Sequence, residues 1–288
     1  MNIELETHLV KAVEMRMPDR NDTACLPHAR YRRATVLGVL VAMTVTTSAG
    51  AASLEASAEG YRPYLVEDIG RALSGARTLR ERLVAGNLDG ARQAWIDSRV
   101  GWERSEVFTS GFVPELDEQI DAWPNATHGF HGIEVELFGT NRTKVDGEVD
   151  ALIAHLADLR GQVEKIPLVP QRLLNGVARL TFEVGGNKAD GGESRVSGTS
   201  LNDMQSNVEG IELAYRVIFS DAIAASDPGL ADATRSAIER IKASVRISDL
   251  RSLDSEKLRA DTEELVALLQ SAASKIGLSK PTLEEGSQ

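Results

Sequence analysis

The sequence predicts an all-α protein of antiparallel helical bundles arranged in two halves. Three observations carry this. Apolar residues recur close to every 3.6 positions in segment after segment, and no stretch shows sustained period-two alternation bounded by turn signals. The segments are joined by short loops, apart from one glycine-rich stretch, Gly185–Gly198, which holds five glycines near the middle of the chain. With 42% hydrophobic and 26% charged residues over 288 positions, the chain can fill a core, which excludes disordered, collagen-like and disulfide-stapled classes.

The elements follow in order. Glu59 to Ala85 places Leu65, Ile69, Leu73, Leu79 and Leu83 on one helical face, and Gly86-Asn87 ends it. Leu88 to Phe108 continues the period through Ala91, Trp95, Val100 and Val107. Residues 111–127, with Gly111, Pro114, Pro124 and Asn125, read as a connecting stretch. A short helix is expected from His128 to Phe138, closed by Gly139. Glu148 to Ile166 carries Leu152, Leu156, Leu159 and Val163 at helical spacing, and Gln171 to Val184 forms the next helix after Pro167 and Pro170. Ser200-Leu201-Asn202-Asp203 reads as a capping box opening a helix to about Ala225. Asp227-Pro228-Gly229 is a turn, and Leu230 to Ile247 and Ser255 to Ile276 complete the set. Trp95, Trp102 and Phe130 are expected in the core.

The amino-terminal region reads differently. Ala34 to Ala52 contains no charged side chain, Arg30, Arg32 and Arg33 precede it, and Ala49-Gly50-Ala51 offers a small-residue cleavage site. That pattern is a secretory signal peptide over residues 1–51, with an uncleaved anchor as the rival reading. The domain division expected is 1–51 leader, 52–164 first bundle and 165–288 second bundle. Cleavage after Ala51 would remove Cys25, the single cysteine, so disulfides, thiolate ligands and thiol redox chemistry drop out. The formal charge of −11 and pI near 5.1 argue against nucleic acid as a partner, because phosphate backbones are held by clustered positive charge.

Two pairs of residues could carry chemistry. His131 and Glu134 stand at i, i+3, so an imidazole and a carboxylate share a helix face. Glu103 and Glu106 stand three apart on the preceding helix, and Asp121 follows in Leu116-Asp117-Glu118-Gln119-Ile120-Asp121. Taken singly, each reads equally as solvated surface, with Arg99 and Arg104 as partners for the glutamates.

Together these residues resemble a family. Gly129-Phe130-His131-Gly132-Ile133-Glu134 is similar to the G-x-H-x-x-E signature of imelysin-like proteins, in particular their EfeO/EfeM branch. Arg99-Val100-Gly101-Trp102-Glu103-Arg104-Ser105-Glu106 resembles the R-x-x-[YW]-E-R-x-E helix, the Asp121 segment resembles an L-D-x-x-I-D loop, and Asp203-Met204-Gln205-Ser206-Asn207-Val208-Glu209-Gly210 resembles a D-x-Q-x-N-V-E-G helix.

The resemblance implies two antiparallel four-helix bundles packed side by side. It also implies a metal site of Glu103, Glu106, Asp121 and His131, with Glu134 as a further ligand or as support behind the histidine. It places the chain in the periplasm or its equivalent, nearer the short form that has no cupredoxin-like domain. There it would capture iron, Fe2+ or Fe3+, for a membrane iron permease with a peroxidase-like partner. Oxygen and imidazole ligands suit iron or manganese and also make zinc a possible ion. Carboxylates converging around no cation would repel one another, which is the physical argument for a metal. The alternatives are a zinc metallopeptidase, for which no H-E-x-x-H pattern is present, and a polysaccharide-binding surface protein, which 5% aromatic residues discourage. In Asp203, Gln205, Asn207 and Glu209 the sequence offers either a second site or a capping aspartate followed by interhelical hydrogen bonds.

Overall fold

A computed structural model describes residues 49–142 and 144–283, with side chains from Leu54 onward. The expected leader lies outside the described residues except at its carboxy-terminal edge, and Cys25 lies outside them too. Among the described residues every regular element is helical, and no helix is long and apolar enough to cross a membrane.

The first helix, α1, runs from Ala49 to Val84, longer than its apolar period announced. Its buried stripe, with Tyr61, Leu65, Ile69, Leu73 and Leu79, faces α2, Leu88–Phe112. Gly86 turns the chain at φ +63°, and Asn87 caps α2 by accepting from the Gly90 amide. The two helices run antiparallel: Ser98 donates to the Ala72 carbonyl, and Arg104 pairs with Asp68. Close approach is built in at Gly101, where a Cβ would sit 2.2 Å from the Asp68 carbonyl oxygen.

Residues 111–127 differ from their expected reading. They hold a helix, α3, Pro114–Asp121, with proline at its first turn, where the missing N–H leaves no bond unmade. The prolines and glycine that suggested a loop mark this helix's boundaries instead. Next comes α4, Gly129–Glu134, continued by a wider π turn, Val135–Gly139. α5, Asp146–Val163, returns antiparallel along α1, tied by Arg80 to Asp146 and Asp150 at one end and by Arg62 to the Ile166 carbonyl at the other.

α6, Pro170–Gly185, and α7, Ser200–Ala214, both lie on α2. A Cβ at Gly176 would fall 1.9 Å from the Val107 carbonyl oxygen, and one at Gly210 would fall 2.4 Å from that of Arg104. These two glycines let α6 and α7 approach α2 to backbone contact. A π turn, Tyr215–Phe219, leads into α8, Ser220–Ser226; α9, Pro228–Val245, and α10, Ser255–Lys275, follow. α6, α7, α9 and α10 enclose an apolar layer that includes Val184, Val208, Ile211, Ile238, Ile241 and Leu265. Trp95, Trp102 and Phe130 are fully buried, as their apolar bulk predicts.

The capping-box reading of Ser200 and Asp203 is corrected. Thr199 stands at the cap position of α7 but its side chain makes no capping bond to the helix. Ser200 Oγ accepts from the Ser194 amide, and Asp203 turns inward to Arg99. A buried guanidinium is the stronger partner for a carboxylate than an exposed helix end.

Candidate metal centre

α2 supplies the backbone of the site. Arg99, Glu103 and Glu106 stand at i, i+4 and i+7, so all three share one face, and all three are buried. α7 runs parallel to α2, and its Asp203 and Asn207 meet Arg99 and Glu103 at the same offset along the chain. Asp203 accepts from Arg99 Nε and Nη2 at 3.3 Å each. Asn207 Nδ2 donates to Glu103 Oε2 at 2.9 Å and to Glu106 Oε2 at 2.6 Å. The second-half motif thus forms no separate site: Asp203 and Asn207 join the first one, while Glu209 pairs with Arg104 at the rim.

The other wall comes from α3 and α4. Asp121 ends α3, and Ala122 takes the left-handed cap conformation that turns the chain. Asp121 Oδ1 accepts from Arg99 Nη1 and from Trp102 Nε1, both at 3.0 Å. Gly129 opens α4 at φ +58°, where a Cβ would lie 2.3 Å from the Ile120 carbonyl oxygen. Only glycine permits this approach, and it explains physically why a glycine precedes His131 by two positions. Phe130 locks the turn between Trp95 and Trp102, its carbonyl accepting from Trp95 Nε1.

His131 is 1% exposed. Its Nδ1 lies 2.9 Å from Glu134 Oε2, while Glu134 Oε1 accepts from the Ser197 amide and hydroxyl at 2.8 and 2.7 Å. Glu134 therefore sits behind the imidazole. With the Nδ1 proton given to Glu134, the Nε2 lone pair faces the site. Nε2 has no hydrogen-bond partner and lies 3.6 Å from Asp121 Oδ1.

The loop between α6 and α7 contributes two residues that helical periodicity could not reveal, Lys188 and Glu193, which are 5% and 6% exposed. Six buried carboxylates (Glu103, Glu106, Asp121, Glu134, Glu193 and Asp203) thus share the centre with two permanent cations, Arg99 and Lys188, which pair with all of them except Glu134. Part of the repulsion that argues for a metal is thus balanced internally by these two cations. Negative charge still exceeds positive, and the electrostatics reflect it. Burial pushes the Glu193 carboxyl up to about 7, with Glu103 and Asp121 adding to it. Burial and the neighbouring Glu103 raise Glu106 well above the usual carboxylate range. Burial also opposes ionisation of Glu103, but Arg99 and Lys188 overcome it and hold that carboxyl down at about 2. Burial disfavours a charged His131, and Asp121 and Glu134 outweigh it to raise the imidazole.

Two triads have ligand atoms within 4.8 Å of one another: Asp121, His131 and Glu193, and Glu103, Glu106 and Glu193. The five residues singled out in sequence all line this centre, and four of them divide between two positions that share Glu193. Glu134 belongs to neither. The centre opens on a cleft of about 410 Å3 whose walls include Glu106, Asp117, Asp121, Trp123, Arg179 and Lys188. Acidic residues around such a mouth draw cations inward.

Comparison with known proteins bears on the family and the fold. The family model described as imelysin, Peptidase M75, matches residues 57–127 and 125–276. The iron uptake system component EfeO of Escherichia coli K12 is 31% identical over 169 residues, 55% of this chain and 44% of that protein, and EfeO of Shigella flexneri matches equally. The chain therefore spans less than half the length of these relatives. A solved structure from Parabacteroides distasonis, described as an iron-regulated protein A precursor, superposes with a TM-score of 0.61 at 15% identity, covering 78% of this chain and 95% of that one, and so shares its fold. The match to the imelysin model runs through nearly all the helices that build the charged centre, and this chain, EfeO-like over the part it shares, belongs to the imelysin family.

Proposed function

We propose that this chain is an exported iron-binding protein that captures iron outside the cytoplasm and passes it to a membrane permease, with no covalent step of its own. The observation that carries the reading is His131 Nε2: buried, without a hydrogen-bond partner, and aimed at Asp121 with Glu193 in reach. Two carboxylates and an imidazole form a hard, borderline donor set suited to Fe2+, Fe3+ or Zn2+. The cargo position is Asp121, His131 and Glu193, with Glu134 orienting the histidine. The EfeO relatives support iron as the cargo. Residues 1–51 as a cleaved leader, the bundles 52–164 and 165–288, and a peroxidase-like partner complete the proposal.

Metal analysis and calorimetric titration with Fe2+, Fe3+ and Zn2+ test it. The wild type should take one ion per chain, and His131→Ala and Glu193→Gln should lose it. Unchanged uptake in both variants would remove the assigned ligands. Reproducible, chelator-sensitive cleavage of a peptide library by the zinc-loaded protein would overturn the non-enzymatic reading.

A further inference from the structure

Glu134 orients His131, but a glutamate side chain is flexible and does not fix its own carboxylate. One residue of the α6–α7 loop fixes it. Ser197 donates twice to Glu134 Oε1, from its amide at 2.8 Å and from its hydroxyl at 2.7 Å, while Glu134 Oε2 stays 2.9 Å from His131 Nδ1. A serine hydroxyl has a single proton to give. The carboxylate takes it, so Thr199 Oγ1, 2.9 Å from Ser197 Oγ, is left to donate to the serine oxygen. Hydrogen bonds thus converge on Glu134 from both sides: Thr199 to Ser197 to Oε1, and His131 Nδ1 to Oε2. The imidazole nitrogen that faces Asp121 is then the one without a proton.

The loop does not need this hydroxyl for its own shape. The amides of Gly198 and Thr199 close its turn on the Ser194 carbonyl at 2.9 and 3.2 Å, and Ser200 Oγ accepts from the Ser194 amide. Ser197 Oγ lies 3.3 Å from that same carbonyl, the weaker claim on its proton. Gly198 turns the chain at φ +73° directly after Ser197. Val196, directly before it, packs against Gly139 of the π turn, where a Cβ would fall 3.3 Å from Val196 Cγ1. The backbone around Ser197 is therefore set independently, and its side chain is left to serve Glu134.

We propose that Ser197 is a positioning residue of the cargo site: acting through Glu134, it holds His131 in the tautomer whose Nε2 lone pair faces the cation. This rests on reading Asp121, His131 and Glu193 as that site. The α6–α7 loop then contributes to cation binding in two ways, supplying Glu193 as a ligand and setting His131 through an intermediary.

Two measurements test it. One is Zn2+ affinity by calorimetry. The other is the imidazole nitrogen–proton correlation spectrum of the metal-free protein at about pH 9, above the range in which a histidine ordinarily carries charge. The His131 signals are identified by their loss in His131→Ala. The wild type should show a proton on Nδ1 and none on Nε2. Ser197→Ala keeps the amide and loses the hydroxyl, so its spectrum should show the two tautomers mixed. Its Zn2+ affinity should fall about tenfold, the low end of what losing a partner behind a ligand costs. Ser197→Thr should restore both. In a Glu134→Gln background, Ser197→Ala should change the affinity by less than about twofold, because residues that act through one another are not additive. An unaltered spectrum and affinity in Ser197→Ala, with the wild type binding one ion, overturns this inference alone. So does a tenfold loss that persists in the Glu134→Gln background, since the serine would then act on the loop and not through the glutamate. A wild type that binds no ion overturns the cargo reading beneath it.

Discussion

Helix α7 faces two environments, and the contrast separates what holds this protein together from what it can do. Toward α2 it presents Asp203 and Asn207, each bonded to a named charged partner. Toward α9 and α10 it presents Val208 and Ile211, packed among Ile238, Ile241 and Leu265. The apolar side is specified by area and volume, and swaps that conserve volume leave it nearly intact. The polar side is specified by pairing. Apolar residues of similar shape hold a core as well as or better than buried ion pairs, so six buried carboxylates sharing one centre with two cations are not there for stability alone. A buried charged centre in a helical protein marks function, and the apolar layer next to it is the scaffold.

The largest test removes one element from each side. Arg99→Met removes the cation shared by Glu103, Asp121, Glu193 and Asp203 and should cost about 3–5 kcal/mol in urea unfolding. Leu265→Ala opens a cavity in the apolar layer and should cost about 2–5 kcal/mol. The losses are similar, but their response to ions should differ. Saturating Zn2+ should raise the Arg99→Met midpoint more than the wild type's, because a bound cation replaces the lost one, and should raise Leu265→Ala only as much as the wild type. Equal gains in all three would erase the distinction.

A gentler pair of variants probes how backbone approach positions the centre. Gly176→Ala sets a methyl against the Val107 carbonyl on α2, and Gly185→Ala sets one against the Thr262 hydroxyl on α10, each Cβ 1.9 Å from its obstacle. Overpacking of this kind should cost about 1–3 kcal/mol in either case. Only Gly176→Ala should also weaken Zn2+ binding in calorimetry, because α6 leans on the α2 segment that carries Glu106. Below these stands Glu134→Gln, which leaves the fold in place and loosens the imidazole. A drop of about 10–100-fold in Zn2+ affinity at an unchanged melting temperature is the expected signature. Unchanged affinity would return Glu134 to a structural role.

The same contrast explains what could be read from sequence. Leu65, Ile69, Leu152 and Leu159 repeat at a period that physics ties to one helix face, so the scaffold was legible. α3 was not, because Pro114 can end one segment or begin another, and eight residues carry too few apolar positions to decide. Glu103, Glu106, Asp121, His131 and Glu134 were found through motif resemblance, since their periodicity is that of any exposed edge. Lys188 and Glu193 were missed because a glycine-rich loop has no period, and its burial arises from tertiary contacts alone. Asp203 was misread because its local pattern favours a cap, while Arg99, distant in sequence, offers the better partner.

The smallest expected effect concerns charges on the scaffold side. Asp261 of α10 is held by Lys257 and Arg240. Burial opposes its ionisation, but the two hydrogen-bonded cations outweigh it and bring the carboxyl below its ordinary value of 3.8. A carboxyl depressed in the folded state stabilises that state above its unfolded pKa, and the contribution fades as pH falls through the folded one. Both cations are partly open to solvent, so screening keeps the contribution within about 1 kcal/mol. Asp261→Asn should therefore unfold slightly earlier than the wild type in urea at pH 6, and the gap should close as the pH is taken well below 3.8. It should leave Zn2+ binding untouched at either end of that range. A gap that persists in acid would mean that Asp261 acts through packing or hydrogen bonding that its neutral form retains. A change in Zn2+ affinity would mean that the apolar layer transmits charge effects to α2, against the separation of scaffold from site.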